Sequence, residues 1–133
     1  MTTLHPNISL LERLSPLIPN DLVSAKGLLA DNFVWHYFNP TLPELEGDYI
    51  GIEGLQTFFQ KLGTLTENTF TVKDKQVFPI GDELVVVHAE PNMTFEGQAI
   101  AVDAAVVWRV VGNQIVEAWD IPAVNTVRPQ TPA

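Results

Sequence analysis

The sequence predicts a single α+β domain, with helices segregated before residue 66 and an antiparallel meander after residue 68. Three observations carry that expectation. Apolar residues recur at helical spacing through the first half of the chain, at Ile8, Leu11, Leu14 and Ile18 and again at Ile52, Leu55, Phe58, Phe59 and Leu62. Beyond Asn68 the pattern turns to β-branched runs broken by Gly, Pro, Asn and Asp. The strongest of these is a hairpin from Val102 to Pro122, with two β-rich arms meeting at Gly112-Asn113, residue types that tolerate left-handed backbone. Helices grouped apart from a run of hairpin-connected strands pack on one face of the sheet those strands make.

In chain order, Asn7 to Ile18 reads as a first helix, with Asn7 able to cap it and Pro19 ending it. Asn20 or Asp21 caps a short second helix that turns Leu22, Ala25, Leu28 and Leu29 to one side. Asp31 to Phe38, DNFVWHYF, is aromatic and β-branched and reads as a strand, with Phe33, Trp35 and Tyr37 on one face and Val34, His36 and Phe38 on the other. Asn39 to Asp48 carries two prolines and three acids and reads as a surface loop. Gly51 to Leu65 is the third helix, whose aromatic stripe requires a broad partner such as a sheet. Asn68 to Pro79 is a strand of mixed polarity, and Ile80 to Glu83 is a turn. Leu84 to Glu90 is apolar on both faces and so central. Pro91-Asn92 interrupts it and Met93 to Glu96 can resume it. Ala99 to Val111 is the long arm of the hairpin, Pro122 ends the final strand, and Pro129 to Ala133 is a loose tail.

Composition sets the bounds. The 133 residues are 46% hydrophobic and 17% charged, which suits one globular domain, residues 1–133. A net charge of −9 repels phosphate, so nucleic acid and anionic membrane are excluded as partners. No apolar run is long enough to span a bilayer, and MTTLHPNISLLERL lacks the basic leader of a signal peptide. There is no cysteine, hence no thiol chemistry and no disulfide framework, and a cytoplasmic location is expected. His5, His36 and His88 have no metal-ligand spacing and there is no Gly-rich phosphate loop, so neither metal nor cofactor is expected.

Three stretches carry a resemblance: His36 to Pro40 (HYFNP), Gly51 to Leu55 with Phe58-Phe59, and Val107 to Asp120 (VWRVVGNQIVEAWD). In their order and spacing they resemble the fold shared by nuclear transport factor two, ketosteroid isomerase and scytalone dehydratase, and within it the SnoaL-like polyketide cyclases. The resemblance implies a cone-shaped curved antiparallel sheet whose concave face is covered by the three helices. It also implies a homodimer formed through the outer sheet face. In catalytic relatives the middle of the long strand often carries an Asp or His facing the cavity; here that position is Val106.

Hairpin register decides where Asp120 points. A two-residue turn at Gly112-Asn113 pairs Val111 with Gln114 and sets Asp120 opposite Ala105. A three-residue loop pairs Val110 with Gln114 and sets Asp120 opposite Ala104, on the inner face with Val102, Val106, Trp108 and Ala118. The three-residue loop is favoured, because it brings Arg109 and Glu117 diagonally together and agrees with the resemblance. The outer face then holds Ala101, Asp103, Ala105, Val107, Trp119 and Ile121, too apolar to stay wet.

Asp120 beside Trp108 is therefore the candidate acid/base, since an apolar setting raises a carboxyl pKa toward neutrality. A strand-end Asp facing water is the competing reading. His36 is the second catalytic candidate, with Tyr37 as the alternative hydrogen-bond partner; if the first strand faces the other way, Trp35 and Tyr37 line the cavity in its place. Trp35, Tyr37, Phe58, His88, Val106 and Trp108 are the ligand-binding candidates, His88 reading also as a satisfied core histidine. The expected ligand is a small hydrophobic, carbonyl-bearing molecule. The expected activity is a cofactor-independent isomerase, cyclase or hydratase reaction, and a non-catalytic binding or dimerisation module of the same fold is the alternative.

Overall fold

The computed structural model describes residues 5–130. Its elements are α1 (Pro6–Leu14), β1 (Leu29–Tyr37), β2 (Gly47–Ile50), α2 (Gly51–Leu65), β3 (Thr71–Ile80), β4 (Leu84–Phe95), β5 (Gln98–Val111) and β6 (Gln114–Pro129). The six strands form one open sheet in the order β2-β1-β6-β5-β4-β3. β1 runs parallel to β6 and every other pair is antiparallel, so the sheet is mixed where a purely antiparallel one is expected. The meander leaves one side of β6 free, and the early aromatic strand fills it.

The helical half differs from the sequence reading. There are two α-helices, not three; the end of the first expected helix is a short 3-10 turn at Ser15–Leu17, and the second expected helix is replaced by another at Leu22–Ala25. Pro16 accounts for the early end of α1, since it has no N–H to continue the ladder. The cap is His5, whose Nδ1 accepts from the Asn7 backbone N–H at 3.1 Å. Asn7 instead donates through its side chain to the Asp82 carbonyl at 2.8 Å, tying α1 to the β3–β4 turn. Leu10 and Leu14 are the buried apolar face of α1. β1 starts at Leu29, earlier than read, and β2 begins at Gly47, within the last two residues of the segment read as a loop.

α2 packs on β1 and β2 and buries Leu55, Phe58 and Leu62. Gly54 allows that approach: a Cβ there would lie 2.8 Å from the Tyr49 carbonyl carbon. The chain turns at Gly112 and Asn113, both with positive φ (59° and 63°), the mirror-image turn whose twist suits a two-residue hairpin.

That turn overturns the three-residue loop. Val111 pairs with Gln114 and Val110 with Ile115, but Arg109 then pairs with Glu117, so Val116 is an extra residue in a β-bulge. The bulge restores the face that a tight turn alone would reverse, and Asp120 comes to lie opposite Val106 on the inner face. Nor does β6 stop at Pro122. It runs to Pro129 after a second irregularity, in which Thr126 accepts from the Asp103 N–H and donates to the Ala123 carbonyl. Residues 131–133, most of the expected loose tail, lie outside the described residues. Among the described residues no helix is long and apolar enough to cross a membrane.

Candidate active site

The sheet register lays the inner face out in rows. One row is Tyr37, Asp120, Val106 and Val87, on β1, β6, β5 and β4. The next is Trp35, Ala118, Trp108 and Val85. Ala118 is small, and the Trp35 and Trp108 rings meet beside it with centroids 5.4 Å apart. Phe58 reaches down from α2 to lie 5.6 Å from the Trp35 ring and 4.9 Å from that of Tyr37.

Two hollows open on this face, and Asp120 lines both. The smaller, about 160 Å³, lies toward the far end of β5 and β6, among Tyr37, Phe58, Leu62, Val102, Pro122 and Val124. The larger, about 910 Å³, lies between α1, α2 and the strands β3 and β4, and includes Trp35, Phe59, Val87, Val106 and Trp108. No Lys or Arg lines either hollow among the described residues.

The Asp120 side chain has no hydrogen-bond or ion-pair partner among the described residues, and burial alone pushes its pKa up to about 7. Next to it on β1, the Tyr37 hydroxyl accepts from Asn39 Nδ2 at 2.9 Å. The orientation of that amide follows from its other contacts. Asn39 Oδ1 accepts from the Thr41 backbone N–H at 3.0 Å and from the Thr41 hydroxyl at 2.6 Å, so the NH2 must face Tyr37. The phenolic proton is thereby left to donate elsewhere. Burial, reinforced by the Asp120 charge, holds the Tyr37 pKa above its ordinary value and keeps that proton in place. A single acid of near-neutral pKa and a committed O–H donor thus share one wall of an apolar space.

His36 is not brought to Asp120. It stands on the outer face, where Nδ1 meets Asp48 and Nε2 meets Glu117, each at 2.6 Å, and its ring stacks on Trp119 at 5.6 Å. Partial burial opposes its charge, but the two carboxylates prevail and raise its pKa. The strand takes the opposite facing, with Trp35 and Tyr37 inward. His88 is also outward and half-exposed, 3.3 Å from Asp103 in a network that joins Arg128, Glu90 and Lys75, so it is neither a core histidine nor a cavity wall. Trp35, Tyr37, Phe58, Val106 and Trp108 all border a hollow. Sequence reasoning missed Asn39 and Thr41 as supports of Tyr37. The Asn-Pro-Thr run at residues 39–41 was the available signal, since Asn side chains bond to backbone two residues on.

A family model described as the SnoaL-like domain matches residues 18–118. No curated protein matches the sequence. Solved structures similar to this chain include an NTF2-like protein of unknown function from Burkholderia pseudomallei, 18% identical with a TM-score of 0.79 over 92% of this chain and 94% of that one. Another is Bal32a from a soil-derived mobile gene cassette, 18% identical with a TM-score of 0.78 over 89% of each chain. A third is a protein with a ketosteroid isomerase-like fold from Catenulispora acidiphila, solved with trimethylamine, 15% identical with a TM-score of 0.69 over 88% of this chain and 87% of that one. At these identities the likeness shows the fold.

Proposed function

We propose, from the premise that this chain belongs to the SnoaL-like domain family, that it is a cofactor-independent acid/base enzyme acting on a small hydrophobic carbonyl compound. The observation that carries the reading is the unpartnered Asp120 carboxyl, with a pKa of about 7, facing an apolar hollow beside a committed Tyr37 donor. Ionised Asp120 takes a proton from the carbon next to a carbonyl. The Tyr37 O–H donates to the oxygen as negative charge develops there, and protonated Asp120 returns the proton to another position. An isomerase or cyclase outcome depends on where that return occurs. A hydratase uses the same pair with water as the added group.

The lack of Lys and Arg among the described lining residues weighs against an anionic substrate, because nothing there would offset a carboxylate or phosphate. A cone-like wrap of the sheet around α2 belongs to the same reading, as does a cytoplasmic location, which the cysteine-free composition supports. A second copy covering the outer face is part of it too. That face leaves Phe38 and Ile121 each 45% exposed near the stacked Trp119 and His36 rings.

The non-catalytic alternative is favoured by one observation: Val106, directly opposite Asp120, supplies no second titrating group. The test is proton exchange at the activated CH2 of 2-tetralone in D2O at pH 7, followed by NMR. The wild type is expected to accelerate exchange over buffer, and Asp120→Asn to lose roughly 10²–10⁴-fold of that while still binding the ketone. Equal exchange by wild type and variant would rule out the catalytic role.

A further inference from the structure

The two hollows share four lining residues, Phe58, Phe70, Pro91 and Asp120, which form the boundary between them. Tyr37 lines only the smaller hollow, whereas Trp35, Val106 and Trp108 line only the larger. A carbonyl oxygen that meets Tyr37, with its neighbouring carbon at Asp120, therefore lies in the smaller hollow. At about 160 Å³ that space is ring-sized, since an apolar cavity of about 150 Å³ takes one benzene. Further apolar room for a longer ligand lies across the boundary, in the larger hollow of about 910 Å³.

The four boundary residues are not held alike. Phe58 is 1% exposed and packs on the rings of Trp35, Tyr37, Tyr49 and Phe59. Pro91 is paired opposite Val72 within the sheet, and its side chain is closed onto its own backbone. Asp120 is paired opposite Val106 in β6. Phe70 precedes β3, outside any helix or strand, and is only partly buried. Among the described residues its one aromatic neighbour is Phe59, at 6.5 Å. The backbone beside it is nonetheless anchored. The Thr69 hydroxyl donates to the Thr66 carbonyl at 2.5 Å and accepts from the Thr94 N–H at 2.6 Å. A loosely packed ring on an anchored backbone can change rotamer while the chain stays in place.

We infer that Phe70 is the specificity-determining residue of the site: its ring sets how far a ketone held at Tyr37 and Asp120 extends from the smaller hollow into the larger. The assignment rests on the hollows being the ligand site of the proposed function, and it adds the size of ligand that the site selects. A one-ring ketone fits beside the Phe70 ring without moving it. A longer ketone reaches the larger hollow only by displacing that ring, which costs its contact with Phe59.

Cyclohexanone and 4-phenylcyclohexanone share a reacting end and differ by one ring, so the ratio of their affinities reads the boundary. Dissociation constants are measured by calorimetry on the wild type, Phe70→Ala and Phe70→Trp. Phe70→Ala is expected to favour 4-phenylcyclohexanone over cyclohexanone roughly tenfold more than the wild type does, and Phe70→Trp to shift the ratio the other way. A second readout uses the wild type with ¹³C-labelled phenylalanine rings, the Phe70 signals being assigned by their loss in Phe70→Leu. Saturating 4-phenylcyclohexanone should move those signals further than saturating cyclohexanone, and this holds even if Phe70→Ala folds poorly. An affinity ratio unchanged in both variants, or equal movement of the Phe70 signals with the two ketones, overturns the role of Phe70 and leaves Asp120 catalysis standing. A ratio that moves as expected while neither ketone exchanges protons upholds Phe70 and removes only the acid/base reading. Failure of the wild type to bind either ketone overturns both.

Discussion

Asp120 matters because its carboxyl lies half-buried against an apolar wall without a partner. Its folded pKa of about 7 lies above the ordinary 3.8. Below about pH 3 the group is protonated in both folded and unfolded chains and costs nothing. As pH rises, the unfolded chain ionises first, and the folded state loses stability until it too ionises near 7, for a total on the order of 4 kcal/mol. Asp120→Asn should therefore leave stability nearly unchanged at pH 3 and raise it at pH 8, measured by urea unfolding at each pH. A variant equally stable at both relative to wild type would show that the carboxyl is already solvated. His36 acts in the same direction over a higher window. Its pKa is raised above 6.5, so the stability from its two carboxylate contacts is complete below that value and fades as pH climbs past the raised pKa. His36→Asn should remove this part of the decline and leave that of Asp120.

Tyr37 and Asn39 show how a site can depend on a residue that never touches the ligand. Replacing Asn39 by Ala frees the Tyr37 oxygen of its donor and lets the hydroxyl rotate. Exchange of 2-tetralone protons should slow roughly tenfold in Asn39→Ala, with ketone affinity little changed, if Tyr37 serves as the oxygen donor. A drop in affinity with an unchanged rate would move Asn39 from positioning the donor to shaping the hollow.

At the scale of elements, the β5–β6 hairpin is the device that aims the acid. The turn at Gly112 and Asn113 and the bulge at Val116 act together, since either one alone would send Asp120 to the outer face. Asn113 sits at φ 63°, where a β-branched residue is strained. Asn113→Val should cost about 1–2 kcal/mol in urea unfolding, and Asn113→Gly should cost little. If Val is tolerated as well as Gly, the turn is not of this type. The sequence made the hairpin, its tip and the third-helix stripe legible, because period and turn chemistry are local. It did not show the bulge, because Val116 is an ordinary strand residue and only the cross-strand pairing identifies it as extra. The inner-face position of Asp120 was thus reached through the wrong loop. The short helix before β1 was misread for a similar reason: Leu22, Ala25, Leu28 and Leu29 satisfy a helical stripe, yet the last two leave the 3-10 turn and Leu29 starts β1.

For the whole molecule, the parallel seam between β1 and β6 is the contact that assembles the site, joining Tyr37 to Asp120 and Trp35 to Ala118 across more than eighty residues of chain. Alternation within DNFVWHYF showed that His36 opposes Trp35 and Tyr37; it could not show which set faces inward. That choice belongs to the packing of Phe58 from α2, which covers the aromatic side and leaves His36 to the carboxylates. The outer face predicts association. Sedimentation at micromolar concentration should show a dimer, and Trp119→Glu should shift it to monomer with the inner site intact; a wild-type monomer would count against the second copy.

The account turns on the ionisation of one carboxyl, and that can be read directly. With ¹³C-labelled aspartate, the side-chain carboxyl of Asp120, identified by its loss in Asp120→Asn, is followed by NMR from pH 3 to 9. It should titrate near 7. A midpoint at or below the ordinary aspartate value of 3.8 would contradict the half-buried acid and the chemistry built on it.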